Sequence, residues 1–348
     1  MTRTILQISC NIYPHITRLP AFFLFLMMSC LCVGQVETSK IDKKDLCDFI
    51  ETLTSTQFGG RGIDDDGQMK TQEFIVNRFK ELQLEPFSAD GYLQKFSLRQ
   101  NSKGELFIKT DREDVIGGYE TDEAFKQEEK TIETANVIGI IRGESDQAIV
   151  ISAHYDHMGR EESLFYPGAD DNASGVAALL ELSEEFSHCE NLKYTMIFLA
   201  TTAEERGLLG SLYHTGQPDF NPQKIICSIN IDMISRCDSN HTDCEYLYCI
   251  GSNHSAMLDS LARKADELFP QCIFDYSGNN SGIFERTDAY NFKKKGVPSI
   301  LFFAGFHDDY HKPSDTIEKI NFDILENRIK LIGEFIKLIQ KDDAPTEL

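Results

Sequence analysis

Four uninterrupted apolar runs, at 148–153, 195–200, 225–231 and 298–303, constrain this chain more than any other feature. Runs that stay apolar at consecutive positions belong to strands buried on both faces, the pattern of parallel sheets covered by helices. Segments with helical apolar spacing at 173–186, 255–269 and 321–339 alternate with them. The expected fold is α/β, a three-layer sandwich with a mostly parallel central sheet flanked by helices.

A carboxylate or imidazole stands at the end of each run. His154 follows the first directly, Glu204 and Glu205 lie just beyond the second, Asp232 ends the third, and His311 sits in the loop after the fourth. In open α/β sheets the carboxyl ends of the strands are where ligands bind. The acidic turn Gly168-Ala169-Asp170-Asp171-Asn172 precedes the first helix of this region. Singly these are ordinary features: a His-x-Asp hydrogen-bonded pair, a solvated Glu-Glu turn and an Asp-Asp-Asn helix cap. Together they put imidazole and carboxylate on one sheet edge, a mixture suited to two zinc-like ions sharing a bridging carboxylate. The chain therefore reads as a metallohydrolase.

Composition narrows the substrate. Of 348 residues 41% are hydrophobic and 26% charged, enough for one sizeable core. The net charge is −22, from 34 Lys+Arg against 56 Asp+Glu. This argues against nucleic acid or an anionic membrane surface and favours cationic or neutral substrates.

Residues 1–34 read as a cleaved signal peptide. Arg3 and Arg18 are the only charges before an apolar run over 21–33 that is short for a bilayer span, and Cys32-Val33-Gly34 offers small residues for cleavage. The expected location is secreted or periplasmic, without stable membrane insertion after cleavage. A lipid anchor on Cys30 or Cys32 is the second choice, against which Met27-Met28-Ser29 matches poorly, and an uncleaved anchor is the third. Losing Cys10, Cys30 and Cys32 with the leader leaves seven of ten cysteines. Cys237 and Cys244 bracket a polar stretch, which leaves a loop-closing disulfide and buried free thiols both open.

Residues 35–135 form a helical and β-rich entry segment, with helical spacing at 43–53 and 68–84, β-rich runs at 92–108 and 135–141, and an exposed charged stretch at 111–130. The motif-bearing core occupies 136–348.

The ordered motifs HYDH, GADDNASG, AEERGLLGS, NIDM and DYHKPSDT, spread over roughly residues 40 to 340, resemble the M28 family of zinc aminopeptidases. The resemblance implies a single α/β domain with two co-catalytic Zn2+ ions. Carried over by motif, His154 and Asp232 hold one ion, Glu205 and His311 the other, and Asp171 bridges them. Asp171 is the family's bridging carboxylate because it stands three residues before Ser174 of the Ser-Gly pair, which leaves Asp170 to shape the loop. Asp156 matches the carboxylate that receives a proton from the ligand imidazole and sets its tautomer. Glu204 matches the general base, which takes a proton from metal-activated water and returns it to the leaving amine. Tyr310 matches a hydroxyl donor to the tetrahedral oxyanion, against the equal alternative of a packed loop tyrosine.

One departure is Thr287-Asp288-Ala289, where the family commonly has Ser-Asp-His. Asp288 is kept as a support beneath the site, while the pocket wall and side-chain preference do not transfer. The resemblance implies peptide substrates with a free N-terminus. Three other readings differ in class or chemistry: a glutaminyl-peptide cyclotransferase, which shares the fold and typically binds one zinc; an M20-type peptidase; and a non-catalytic peptide-binding module. Glu205 and Asp232 stand 27 positions apart in the chain, which leaves no room for the dimerisation domain of the M20 type. The complete ligand and base set favours a hydrolase over the other two.

Overall fold

A computed structural model describes residues 41–109, 115–116, 128–217, 219–241, 243–274 and 281–342. The leader at 1–34, with Cys30 and Cys32, and most of the charged stretch 111–130 lie outside the described residues. The entry segment contributes α1 (Lys43–Thr54), α2 (Asp66–Glu81), β1 (Leu93–Asn101), β2 (Leu106–Lys109) and β3 (Glu128–Ile141). There follow β4 (Ala148–His154), α3 (Gly175–Ser187), β5 (Thr195–Thr201), α4 (Leu209–Gly216), β6 (Ile225–Asp232) and β7 (Leu247–Ile250). The remainder comprises α5 (Ala256–Leu268), β8 (Cys272–Ile273), α6 (Ala289–Lys294), β9 (Ser299–Phe303) and α7 (Phe322–Lys341).

Helices start where a polar side chain can take an otherwise unpaired backbone N–H. Asp42 accepts from Lys44 N, Asp65 from Gly67 N, Ser255 from Leu258 N and Asn321 from Ile324 N. The helix expected at 173 begins at Gly175, because Asp171 and Asn172 take non-helical angles in the turn before it.

Among the described residues eleven strands form one sheet. At its centre β9, β6, β4 and β5 are adjacent and parallel, as their continuous apolar runs predict. Register places His154 opposite Thr201 and Asp232 opposite Phe303, so the carboxyl ends of these strands lie level. Antiparallel wings extend this centre. β3 pairs with β5 and β1 with β3 on one side, and β7 pairs with β9 on the other. The β-rich entry segment is thus part of the same sheet.

Alternate strand residues serve two cores. Ile149, Ile151 and Ala153 of β4 face a large cluster with α1, α2, α3, α5 and α7. Ala148 and Val150 face the other layer with Leu199, Phe292 and Val297. A one-residue slip of β4 would exchange the two faces and mismatch the packing of both cores. A Cys237–Cys244 disulfide closes its loop with a Cα–Cα separation of 5.0 Å, resolving the alternative left open by spacing. Among the described residues no helix is long and apolar enough to cross a membrane.

One buried acid on α3 ties stability to pH. Glu181 lies beneath α1, accepting the Asp42 N–H at 3.2 Å, and burial, with Glu184 and Asp45 nearby, raises its carboxyl pKa to about 8. A folded-state pKa above the unfolded value stabilises below the unfolded pKa and loses that contribution as pH rises through the folded one. Glu181→Gln is therefore expected to match the parent near pH 5 and to melt higher near pH 9, as read by thermal denaturation in chelator. Equal melting temperatures at pH 9 would contradict this assignment.

Candidate metal centre

The ends of the four central strands bring the candidate ligands together. His154, 2% exposed, directs Nε2 to within 3.4 Å of both Asp171 Oδ1 and Asp232 Oδ1. Its Nδ1 lies 3.1 Å from the Asp156 carbonyl oxygen, which can only accept. The neutral ring therefore carries its proton on Nδ1 and presents the Nε2 lone pair to the carboxylates.

This differs from the expected role of Asp156. Its carboxylate stands 3.8 Å from His154 Nδ1, and the carbonyl makes the contact instead. The carboxylate is committed elsewhere, accepting the backbone N–H groups of Glu204 at 3.1 Å and Glu205 at 3.3 Å. Asp156 thereby sets both the imidazole and the turn carrying the two glutamates.

Asp171 lies between two groups of donors. Oδ1 faces His154, while Oδ2 is 3.2 Å from His311 Nε2, which is itself 2.9 Å from Glu205 Oε2. Gly168 makes the turn possible: its φ is +58°, and a Cβ there would stand 2.2 Å from the Asp171 carbonyl oxygen. The Asp171–Asn172 peptide is cis. Asp170 points away from the centre, accepting Ser235 N–H at 2.7 Å and the hydroxyls of Ser235 at 2.5 Å and Ser174 at 3.0 Å.

Residues that pattern reading passed over hold this turn in place. Asp315 Oδ2 accepts the backbone N–H of Asp170 at 3.0 Å and of Asp171 at 3.2 Å. Asn172 links the turn to β6, donating to Ile231 O and accepting from Met233 N. Arg61, in the loop before α2, is fully buried and donates to the carbonyls of Tyr155, Leu53, Pro167, Gly168 and Asp171. Burial lowers its guanidinium to about 10, so it stays charged at neutral pH among Asp171, Asp315 and Asp156. A Gly-Gly-Arg-Gly loop carries no signal that its arginine folds inward. Arg61→Lys, with too few donors for five carbonyls, is expected to cost about 3–5 kcal/mol in urea unfolding and to weaken metal retention.

The loops after the strands also hold non-glycine residues at positive φ, namely Ala203 at 57°, Met233 at 47° and His311 at 56°. Each adjoins or is a candidate site residue, and such conformations persist only where surrounding contacts over-determine them. Glu204 reaches the pocket from this strained turn, and Tyr310 lines it while stacking on His311 with ring centroids 3.8 Å apart. Asp288 is buried beneath, with its carboxylate accepting from the Thr201 hydroxyl. Met233, Ile283, Phe303 and Phe306 supply an apolar wall, and Arg286 stands at the pocket with its guanidinium 5.7 Å from the Phe306 ring. His157, present in the first motif but assigned no role from sequence, places Nδ1 2.9 Å from Glu205 Oε1.

The electrostatics are those of concentrated opposite charge. Burial pushes the Glu204 carboxyl well above its ordinary range; His154 opposes this, and Glu205 and Asp232 add to it. Burial would also raise Asp171, but the imidazoles of His157, His154 and His311 hold it well below that range. Burial lowers His311, yet Asp171 and Glu205 outweigh it and bring its pKa to about 10.

These residues fit metal ions. Among the described residues, Asp171 Oδ2, Asp232 Oδ1 and His311 Nε2 are buried and lack a hydrogen-bond partner, an arrangement costing about 1–3 kcal/mol per group unless a cation satisfies it. Donor atoms of His154, Asp171 and Asp232 lie within 4.8 Å of one another, as do those of His157, Asp171 and Glu205. Asp171 belongs to both sets, which is the property a bridging carboxylate needs.

The fold and the site together define an α/β protein with a metal-suited pocket at a parallel sheet edge, and the comparisons agree with that class. Residues 136–336 match the family model "Peptidase family M28", and the chain belongs to this family. Aminopeptidase YwaD of Bacillus subtilis is 25% identical over 223 residues, covering 60% of this chain and 46% of that protein. The chain thus spans about half the length of that curated relative. Among solved structures, BSAP, a zinc aminopeptidase from Bacillus subtilis, superposes with TM-score 0.64 at 17% identity, covering 88% of this chain and 97% of that one. Porphyromonas gingivalis glutaminyl cyclase also superposes with TM-score 0.64 at 17% identity, covering 85% and 98%. The shared fold therefore does not separate hydrolase from cyclase.

Proposed function

We propose that this protein is a zinc-dependent aminopeptidase that removes N-terminal residues from peptides. The observation that carries the reading is the convergence of Glu204 with two donor sets sharing Asp171 in one pocket. His154, Asp171 and Asp232 would hold one Zn2+, and Asp171, Glu205 and His311 the other. When bound, such ions supply Lewis acidity, which makes water acidic enough to attack and polarises a carbonyl.

The chain's own residues do the rest. Glu204 takes a proton from the attacking water and passes it to the departing amine. Tyr310 directs its hydroxyl to the oxygen that gains charge in the tetrahedral state. The acidic interior favours a cationic α-amino group, and the apolar wall of Ile283, Phe303 and Phe306 excludes water from its side. Asp170, Asp156 and Asp288 keep the acidic turn, the glutamate turn and the floor beneath them in register. The Cys237–Cys244 disulfide supports a secreted or periplasmic location.

Glutaminyl cyclisation is the second reading, favoured by the fold likeness alone. The two are separated by mass spectrometry of a mixture of free, acetylated and glutamine-headed peptides incubated with zinc-loaded protein. Stepwise loss of N-terminal residues from free-amine peptides alone is expected. Loss of ammonia from glutamine peptides alone would make the protein a cyclase, and an unchanged mixture would point to a binding module.

A further inference from the structure

His157 lies outside the donor set implied for either ion, yet its ring is built into the centre. Its side chain is 0% exposed, with Nδ1 2.9 Å from Glu205 Oε1 and 3.8 Å from Asp171 Oδ2. The ring occupies space left by a missing side chain, since a Cβ on Gly168 would stand 2.5 Å from it. Its other nitrogen, Nε2, is buried and has no hydrogen-bond partner among the described residues. The ring of His311, its centroid 5.9 Å from that of His157, faces the same two carboxylates, with Nε2 2.9 Å from Glu205 Oε2 and 3.2 Å from Asp171 Oδ2.

These separations decide what four donors can do together. Zinc bonds of about 2.0–2.2 Å place neighbouring donors roughly 3–3.5 Å apart in a four- or five-coordinate shell. The contacts of 3.8 and 3.2 Å from the two imidazoles to Asp171 Oδ2, and of 2.9 Å from each to a different oxygen of Glu205, bracket that spacing. Resting on the two-ion reading above, we propose that His157 Nδ1 is a fourth protein donor at the Glu205–His311 position. The two positions are then unequal: one is closed by His157, Asp171, Glu205 and His311, and the other keeps an open place beside His154, Asp171 and Asp232. Closed shells are typical of ions held for structure and open ones of ions used in reaction. The closed position fills first and tightest, and the open one faces the substrate.

The alternative is that Nδ1–H only orients Glu205. Support of that kind is worth about 10–100-fold in metal affinity. Chelator-stripped protein is titrated with Zn2+ against a chromophoric competitor, with Co2+ absorption recorded in parallel on wild type, His157→Ala and His157→Asn. Asparagine supplies an N–H near the Nδ1 position, so it rescues an orienting role, and its circular dichroism checks folding independently of alanine. Expected are two affinity classes in wild type, loss of the tighter by more than roughly 100-fold in both variants, and a changed Co2+ spectrum. Two ions bound with unchanged affinity and spectrum in His157→Ala, or full rescue by asparagine, would overturn the proposal and leave the two-ion reading standing. A wild-type protein that binds a single ion would overturn both.

Discussion

Glu204→Gln is expected to lower kcat by roughly 10²–10⁴-fold while the protein keeps its zinc. The two parts of this result come from different features of the site. Glu204 lines the pocket but is absent from both sets of converging donors, so its loss removes no donor from either ion. Glutamine keeps the shape and the backbone contacts of the turn, including the Gly207 and Leu208 N–H groups donated to the Glu204 carbonyl at 3.0 Å. It cannot accept a proton, so the loss falls on kcat and corresponds to about 3–5.5 kcal/mol of transition-state stabilisation. Steady-state kinetics with metal analysis of the same sample check both parts. A variant that keeps more than a tenth of wild-type kcat, with metal content unchanged, would remove Glu204 from the role of base.

The second large effect is expected at the shared carboxylate. Asp171→Ala should weaken binding of both ions, taking activity with it, because each donor set contains an Asp171 oxygen. Without it, His154 and Asp232 remain on one side and Glu205, His157 and His311 on the other. The variant also leaves His154 and His311 without the carboxylate that holds them, in a place where burial disfavours their charged forms. Asp232→Ala makes the contrast, since it removes a donor from one set only and should leave one ion in place. Elemental analysis after gel filtration distinguishes the two variants, and full metal retention in Asp171→Ala would sink the bridging assignment.

Most of the site was legible because its chemistry coincides with its topology. A strand buried on both faces announces itself by an unbroken apolar run, and the next polar residue must lie at the sheet edge. For that reason His154, Glu204, Glu205, Asp232 and His311 could be placed without coordinates. Asp156 was legible as a participant but not in its contact, since residue type cannot tell whether a carbonyl or a carboxylate reaches the imidazole. The antiparallel wings were less legible, because short alternating strands carry a weaker signal than the central ones. Arg61 and Asp315 were not legible as supports: a buried arginine with five carbonyl partners reads like any surface cation until the loops around it are folded.

The linear chain by itself determined the order of strands and helices, the layered class and the chemical types gathered at the sheet edge, since hydrophobic period and residue identity are local properties. Tertiary structure alone decided which carbonyl holds His154, how Arg61 and Asp315 fasten the Asp171 turn, and that His157 faces Glu205. Those outcomes depend on contacts between segments 48 to 145 residues apart or on the direction of one backbone carbonyl, and only packing sets such directions.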